Sequence, residues 1–449
     1  MKYYCTTHIK IKRLFLVAIA LLPLMTLAQT STKSPYSYYG LGDVEPMVYA
    51  ENAGMGGLKY ALGNPYQLNA ANPALLSSLD MPTFTVGAIA NSVSTNGNEQ
   101  SQTNTNAYFK YFGLGLPLGG RFSLGLGLTP YTKMGYAIEQ STDDDELGEV
   151  QTRYEGEGGI NRAYLNLAYV LLQDSTNNLS LGLTPSYYFG TTNRSSNILF
   201  AEANAYNTVS EQKLTVSDVN FEIGVNYKKL LHKDSHGGRM VSLGAVYGLQ
   251  RKMNAKRSDF AYTTSSSGAS KDTVINESSN GRIVMPQSLG VGIVYEFYSD
   301  STGKWDIGLD YGFTSWSDLS VNGENQDLND RHEFALGASF LPDERAIRRS
   351  FLKTITYRAG VFYYQNRLNL GDRVDEYGMS IGMGIPLIGN SSKSAMRRNT
   401  SMINFALQYG QRGINKTGLI QERYVNFLIG FTFTPDNRAD KWFERRKIE

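Results

Sequence analysis

A single cysteine, Cys5, in 449 residues leaves no disulfide framework, and its position ahead of the first apolar run excludes it as the lipidated first residue of a mature chain. Beyond that run no apolar stretch is long enough for a membrane helix, which excludes a helical inner-membrane protein. Charge of either sign is not in excess. The 43 Lys and Arg against 41 Asp and Glu leave +2, so nothing suggests a nucleic-acid partner. Four histidines are too few and too scattered for a metal centre: His8 lies near the N-terminus, His332 stands alone, and His232 and His236 share a short glycine-ended turn without a third ligand. The acidic run Asp143, Asp144, Asp145 and Glu146 lacks the ligand alternation and glycine of a calcium loop. No Gly-x-Ser-x-Gly elbow, phosphate loop or set of nucleophile, base and orienter occurs. The expectation is a non-enzyme without metal or cofactor.

What the chain has is glycine, tyrosine and alternation. Its 45 Gly and 30 Tyr suit a crowded barrel interior and an interfacial aromatic belt. Fourteen stretches alternate apolar with small or polar residues: 84 to 93, 106 to 118, 121 to 138, 155 to 172, 178 to 198, 215 to 231, 239 to 256, 281 to 298, 304 to 317, 331 to 341, 355 to 368, 374 to 388, 401 to 412 and 420 to 434. In the last, Val425, Phe427, Ile429, Phe431 and Phe433 share one face while Asn426, Gly430, Thr432 and Thr434 share the other. Each stretch reaches the ~9 to 11 residues that a tilted strand needs to cross hydrocarbon. The pattern predicts an all-β transmembrane antiparallel barrel of about fourteen strands over 81 to 435. A soluble β-sandwich repeat is the rival, and such strands are usually shorter and more evenly spaced.

An even strand number puts both chain ends on one side. If that side is periplasmic, the outward loops are 94 to 105, 139 to 154, 199 to 214, 257 to 280, 318 to 330, 369 to 373 and 413 to 419. Two inward connections are basic: 342 to 354, with Arg345, Arg348, Arg349 and Lys353, and 389 to 400, with Lys393, Arg397 and Arg398. Pro130 and Pro185 interrupt otherwise good strands, and proline cannot donate to a ladder. Each is read either as a kink or as a plain bulge. Inward positions carry Asn166, Glu222, Asn226, Glu296, Asn404 and Gln408, either lining a ligand path or satisfying one another and an interior plug.

The two ends stand apart from the ladder. Residues 1 to 28 read as a secretory signal, with Lys2, Lys10, Lys12 and Arg13, an apolar run from Leu14 to Leu27, and cleavage expected near Ala28. Its removal takes the balance to −2. Residues 436 to 449 read as a periplasmic tail, with Trp442 and Phe443 beside Arg445, Arg446 and Lys447. Between signal and barrel, residues 29 to 80 carry Ala53-Gly54-Met55-Gly56-Gly57 and then Asn69-Ala70-Ala71-Asn72-Pro73-Ala74-Leu75-Leu76, where Asn-Pro opens a turn into a short helix.

This combination resembles the FadL-type outer-membrane transport family, and the segment 34 to 42 and the tail look like its members in Bacteroidota. The resemblance implies a small hatch, built here on Gly54, Gly56, Gly57, Asn72, Pro73 and Ala74, plugging a fourteen-stranded barrel. The family's usual glycine after Asn-Pro-Ala is Leu75 here. By resemblance, Pro130 marks a lateral opening in the third strand, through which hydrophobic small molecules, fatty-acid-like or aromatic, pass after passive uptake. The alternative is an accessory or structural subunit of a larger outer-membrane secretion or assembly complex. Partners are outer-membrane lipids, a hydrophobic ligand and, on the alternative, other subunits.

Overall fold

The computed structural model describes residues 34–97, 100–144, 148–200, 206–265, 271–343, 348–371, 374–387, 401–415 and 420–434. The expected signal, the tail, the connection 389 to 400, Arg345, Asp145 and Glu146 lie outside the described residues.

The chain forms a closed antiparallel barrel of 14 strands. They are β1 Thr83–Gly97, β2 Gln100–Gly119, β3 Phe122–Asp144, β4 Gly148–Gln173, β5 Asn177–Phe200, β6 Asn207–Lys233 and β7 Gly237–Gly248 continuing as Arg251–Thr264. Then follow β8 Lys271–Met285 continuing as Ser288–Ser299, β9 Gly303–Thr314, β10 Arg331–Leu341, β11 Thr356–Gln365, β12 Glu376–Pro386, β13 Met402–Arg412 and β14 Gln421–Phe433. Every neighbour pair is antiparallel, and β14 closes on β1 from Phe433↔Phe84 to Gln421↔Asn96.

Alternation does the work the sequence assigns to it. Outward apolar residues such as Leu167, Ile223, Leu309, Ile381 and Phe427 are exposed, as a lipid-facing band requires. Aromatic rows bound the band on neighbouring strands. One row runs Tyr311, Phe334, Tyr363, Tyr377 by direct pairing across β9 to β12. The other runs Phe297, Trp305, Phe340, Tyr357 across β8 to β11, with Trp305 and Phe340 stacked at 4.3 Å.

The two ends of the barrel differ. At one, tight connections such as Gly120-Arg121 join the strands. At the other, β3, β4, β5 and β6 run on to 23, 26, 24 and 27 residues, while β9 to β14 have only 10 to 13. One flank therefore rises as a tall wall. Most of the expected loops 94 to 105, 139 to 154, 199 to 214 and 257 to 280 are strand, for example Val150↔Phe200 and Ser278↔Ser258. Past the membrane a ladder needs only backbone pairing, so its residues show no apolar face and read as loop.

The expected outward loop 318 to 330 folds over the barrel mouth. A 3-10 turn, Trp316–Asp318, leads into a hairpin of Ser320–Val321 with Glu324–Asn325, and Val321 pairs with Ile283 of β8. Trp316, Leu319, Val321 and Leu328 pack with Tyr36 and Leu41 into one buried core. The mouth is capped among the described residues.

Candidate functional site

The segment from Ser34 to the start of β1 fills the lumen, and it seats by backbone contact. After the helical turn Ala50–Ala53, Gly56 and Gly57 adopt φ of +70° and +88°, a region in which only glycine is unstrained. A Cβ on Gly56 would lie 2.7 Å from the Val361 carbonyl oxygen and 2.9 Å from that of Leu336. The wall answers with its own glycines: Gly337, Gly360 and Gly382 sit on adjacent strands β10 to β12, against Met55, Gly56 and Gly54. The Gly56 amide donates to Ser380 Oγ at 2.8 Å.

Asn72, Pro73 and Ala74 form the second foot. Pro73 opens a 3-10 helix, Pro73–Ser78, capped by the Asn72 side chain, which accepts from the Ala74 amide at 3.0 Å. The same side chain donates to the carbonyls of Tyr60, at 2.7 Å, and of Val225 on β6, at 3.1 Å. Leu75, in place of the family's glycine, is buried, and the turn forms with it.

Charge ties the plug to the wall. Arg412 of β13 bonds Asp43 at 3.0 Å and Ser34 at 2.9 Å and also pairs with Glu422 of β14, which accepts from Ser34 Oγ at 2.6 Å. Glu45 takes Lys110 of β2, Lys133 of β3 at 3.3 Å and the Tyr108 hydroxyl at 3.0 Å. Burial alone would raise the Glu45 pKa, but the two lysines hold it well below the usual carboxylate range. Lys59 reaches Glu333 at 2.8 Å, while its own amide and that of Tyr60 donate to Asp310 at 2.6 and 2.9 Å. Burial disfavours the Lys59 charge, yet Glu333, Tyr60 and Tyr364 together outweigh burial and raise the pKa. Glu51 is the exception: both its oxygens are buried without a hydrogen-bond partner, and burial, opposed by Arg358, pushes its pKa up to about 7.

The inward polar residues named from the alternation all point into this network. Asn166 donates to Ala70 of the plug at 3.2 Å and accepts from Thr184 at 2.8 Å. Gln408 donates to the Ala53 carbonyl at 3.2 Å. Glu222 accepts from Arg162 at 3.0 Å, Glu296 from Lys228 at 2.7 Å, and Asn404 from Arg358 at 2.9 Å, while Asn226 donates to Ser242 at 2.9 Å. Asn166 and Gln408 bond the plug, and the other four pair with further side chains of the wall. Lys110 was invisible to alternation because a bulge opposite Gly87 and Ala88 inserts it into β2. Arg412 and Glu422 do lie at inward-phase positions, but nothing in the pattern names their partners on the plug.

At Pro130 the ladder changes on both sides. Toward β4 the register slips between Pro130 and Thr132, leaving Tyr131 as an extra residue. Toward β2 the pairing ends at Phe112↔Leu128. The plug occupies the vacated edge of β3: Asp43 pairs with Lys133, Val44 with Thr132, and the Ser34 amide donates to the Gly135 carbonyl at 2.9 Å. Pro185 pairs with Phe221 on β6, while toward β4 the ladder skips Thr184 and Pro185. The Thr184 bond to Asn166 bridges that gap.

Two cavities of about 150 and 140 Å³ remain in the lumen, lined by charged groups including Glu45, Lys110, Arg331 and Arg412 in the first and Lys59, Arg162, Glu222 and Glu333 in the second. A third, of about 260 Å³, is aromatic and apolar, with Tyr36, Tyr38, Tyr39, Ile138, Tyr154, Leu370 and Ile420 around it. No metal-binding cluster occurs among the described residues.

A family model described as BamG matches residues 10–449. No curated protein matches the chain. Among solved structures it is similar to a Pseudomonas aeruginosa FadL homologue, with TM-score 0.57 and 13% identity over 88% of this chain and 99% of that one. The Pseudomonas putida toluene transporter TodX gives 0.53 and 16% over 87% and 99%. The Ralstonia pickettii toluene transporter TbuX gives 0.51 and 16% over 88% and 100%. At these identities the likeness shows a shared fold, and the barrel with these neighbours marks an outer-membrane protein.

Proposed function

Because the chain belongs to the BamG family, and because the plug fills its lumen while the lid formed by 316 to 330 caps its mouth, we propose that it is a structural subunit of a larger outer-membrane complex. The observation that carries this reading is the closed lumen. A hydrophobic solute crossing it would have to enter cavities of about 150 and 140 Å³ whose linings include buried ion pairs, and separating those pairs leaves charge uncompensated. It would also have to displace the core around Trp316 and Leu319. The tall wall of β3 to β8 offers a neighbouring subunit a rigid sheet. Short connections at the opposite end support a periplasmic placement of that end, which turns the wall outward. Purification of the native protein in mild detergent is expected to yield a stoichiometric complex. A monomer carrying bound lipid would overturn the reading.

Transport keeps one specific support, the aromatic cavity of about 260 Å³ near the β3 edge that Pro130 leaves without β2. Replacing Pro130 with Val supplies the missing N–H and frees φ. On the subunit reading, uptake of a hydrophobic probe is indifferent to this change. A tenfold fall in uptake with the barrel still heat-modifiable on gels would return the function to passive import.

A further inference from the structure

Just beyond the exposed Tyr247, which ends the outward apolar run of β7, β6, β7 and β8 carry a cluster of cations on their outward face on the tall side. Below the break in β7 the exposed residues are Leu243 and Tyr247, the latter donating its hydroxyl to Gln287 at 3.0 Å. The two unpaired residues Leu249 and Gln250 shift the phase, so that Lys252, Asn254 and Lys256 face outward above the break. Register places the others beside them. Arg282 is opposite Asn254, hence diagonal to both lysines, and Lys213 is opposite Ser258, hence diagonal to Lys256. Diagonal neighbours stand about 7 to 8 Å apart. At the lower edge the Arg251 guanidinium lies 5.5 Å from the Phe221 ring and 3.6 Å from Asp218.

Lys213, Lys252, Lys256 and Arg282 are all exposed, and none has a carboxylate at ion-pair distance among the described residues. Like charges so close repel. The far side of the rim has the opposite character, with Asp318, Asp330 and Asp375 near the mouth ends of β9 to β12. The cationic face is therefore local, and the exposed Leu243 and Tyr247 beneath it set its height at the edge of the lipid-facing band.

We propose that this face binds the phosphate groups of anionic lipids in the leaflet at the tall end. Lipid phosphates occupy that layer, immediately above the apolar band. Four cations just beyond a membrane anchor form the polybasic cluster that attracts them, and phosphate oxygens accept charge-assisted bonds from lysine and arginine. The proposal stands on the outer face alone, independently of the subunit reading.

The test uses the full-length protein in mild detergent, incubated with bisphosphorylated lipid A, with the same lipid lacking its phosphates, or with inorganic phosphate, and counts retained lipid by native mass spectrometry. The wild type is expected to retain the bisphosphorylated lipid at least tenfold better than the variant Lys213→Gln/Lys252→Gln/Lys256→Gln/Arg282→Gln, and to release it at high salt. Arginine at the three lysine positions should preserve retention. Inorganic phosphate should not compete. Equal retention by the glutamine variant, or lipid held by the wild type at high salt, overturns the proposal, as does equal competition by inorganic phosphate. A glutamine variant that keeps lipid and loses a co-purifying protein also overturns it, and assigns the patch to a protein partner. Should that variant fail to fold, the salt and dephosphorylated-lipid arms on the wild type decide alone.

Discussion

Replacing Gly56 with Ala is expected to unseat the plug while leaving the barrel closed on itself. The left-handed backbone at Gly56 costs a residue with a Cβ about 1 to 2 kcal/mol. The larger effect is steric. The added carbon would lie 2.7 and 2.9 Å from carbonyl oxygens of two paired strands, and those strands cannot retreat without breaking their ladder. Limited proteolysis in detergent should cut within residues 34 to 82 of the variant and spare the wild type, with heat-modifiable migration retained by both. Gly119→Ala is the control. Gly119 shares the positive φ, at +87°, with nothing within 4 Å of its virtual Cβ, so that variant bears the strain without the clash. A protease-resistant plug in Gly56→Ala would show that the glycine contact with β10 and β11 does not govern seating.

Raising the pH from about 5 to about 8 should loosen the same region. Burial lifts the Glu51 pKa from 4.5 to about 7 against the opposing pull of Arg358, so the docked plug holds the proton more tightly than an undocked, hydrated one. The stabilisation is complete below pH 4.5 and is lost as pH rises through 7. The difference is worth about 3 kcal/mol, a factor on the order of 100 in plug opening. Of the groups around Glu51, Arg358 favours its ionised form, and the Tyr49 hydroxyl stays neutral in this window. Glu45, held ionised by Lys110 and Lys133, does not titrate between pH 5 and 8 and contributes no slope there. Hydrogen exchange of the 50 to 58 amides, corrected for intrinsic pH dependence, should show the change in the wild type and a clearly smaller one in Glu51→Gln. A pH-independent wild type would place a counter-ion on Glu51.

The strands that were legible were those with one face in lipid. β14 is the clearest, because Val425, Phe427 and Ile429 are all exposed while Leu428 is buried. The wall above the membrane was not legible, since Glu139 to Asp144 and Gly148 to Arg153 pair as strands beyond the lipid-facing band. Lys110 and Tyr131 were missed because single-residue bulges re-aim them, and the basic face of β7 because two unpaired residues shift its phase. The lid was read as a polar loop, its apolar residues being too few for a period.

By itself the sequence determined the number of crossings and the presence of an interior segment rich in glycine and Asn-Pro. Each of these depends on local periodicity, length or backbone freedom, which a single chain displays directly. Only the tertiary structure decided that Gly56 meets Gly360, that Glu45 meets Lys110 and Lys133, and that Trp316 caps the mouth. The glycine and ion-pair contacts join residues from 65 to more than 300 positions apart. Their partners are chosen by closure of the barrel, a geometric condition on all the strands at once that no segment carries alone.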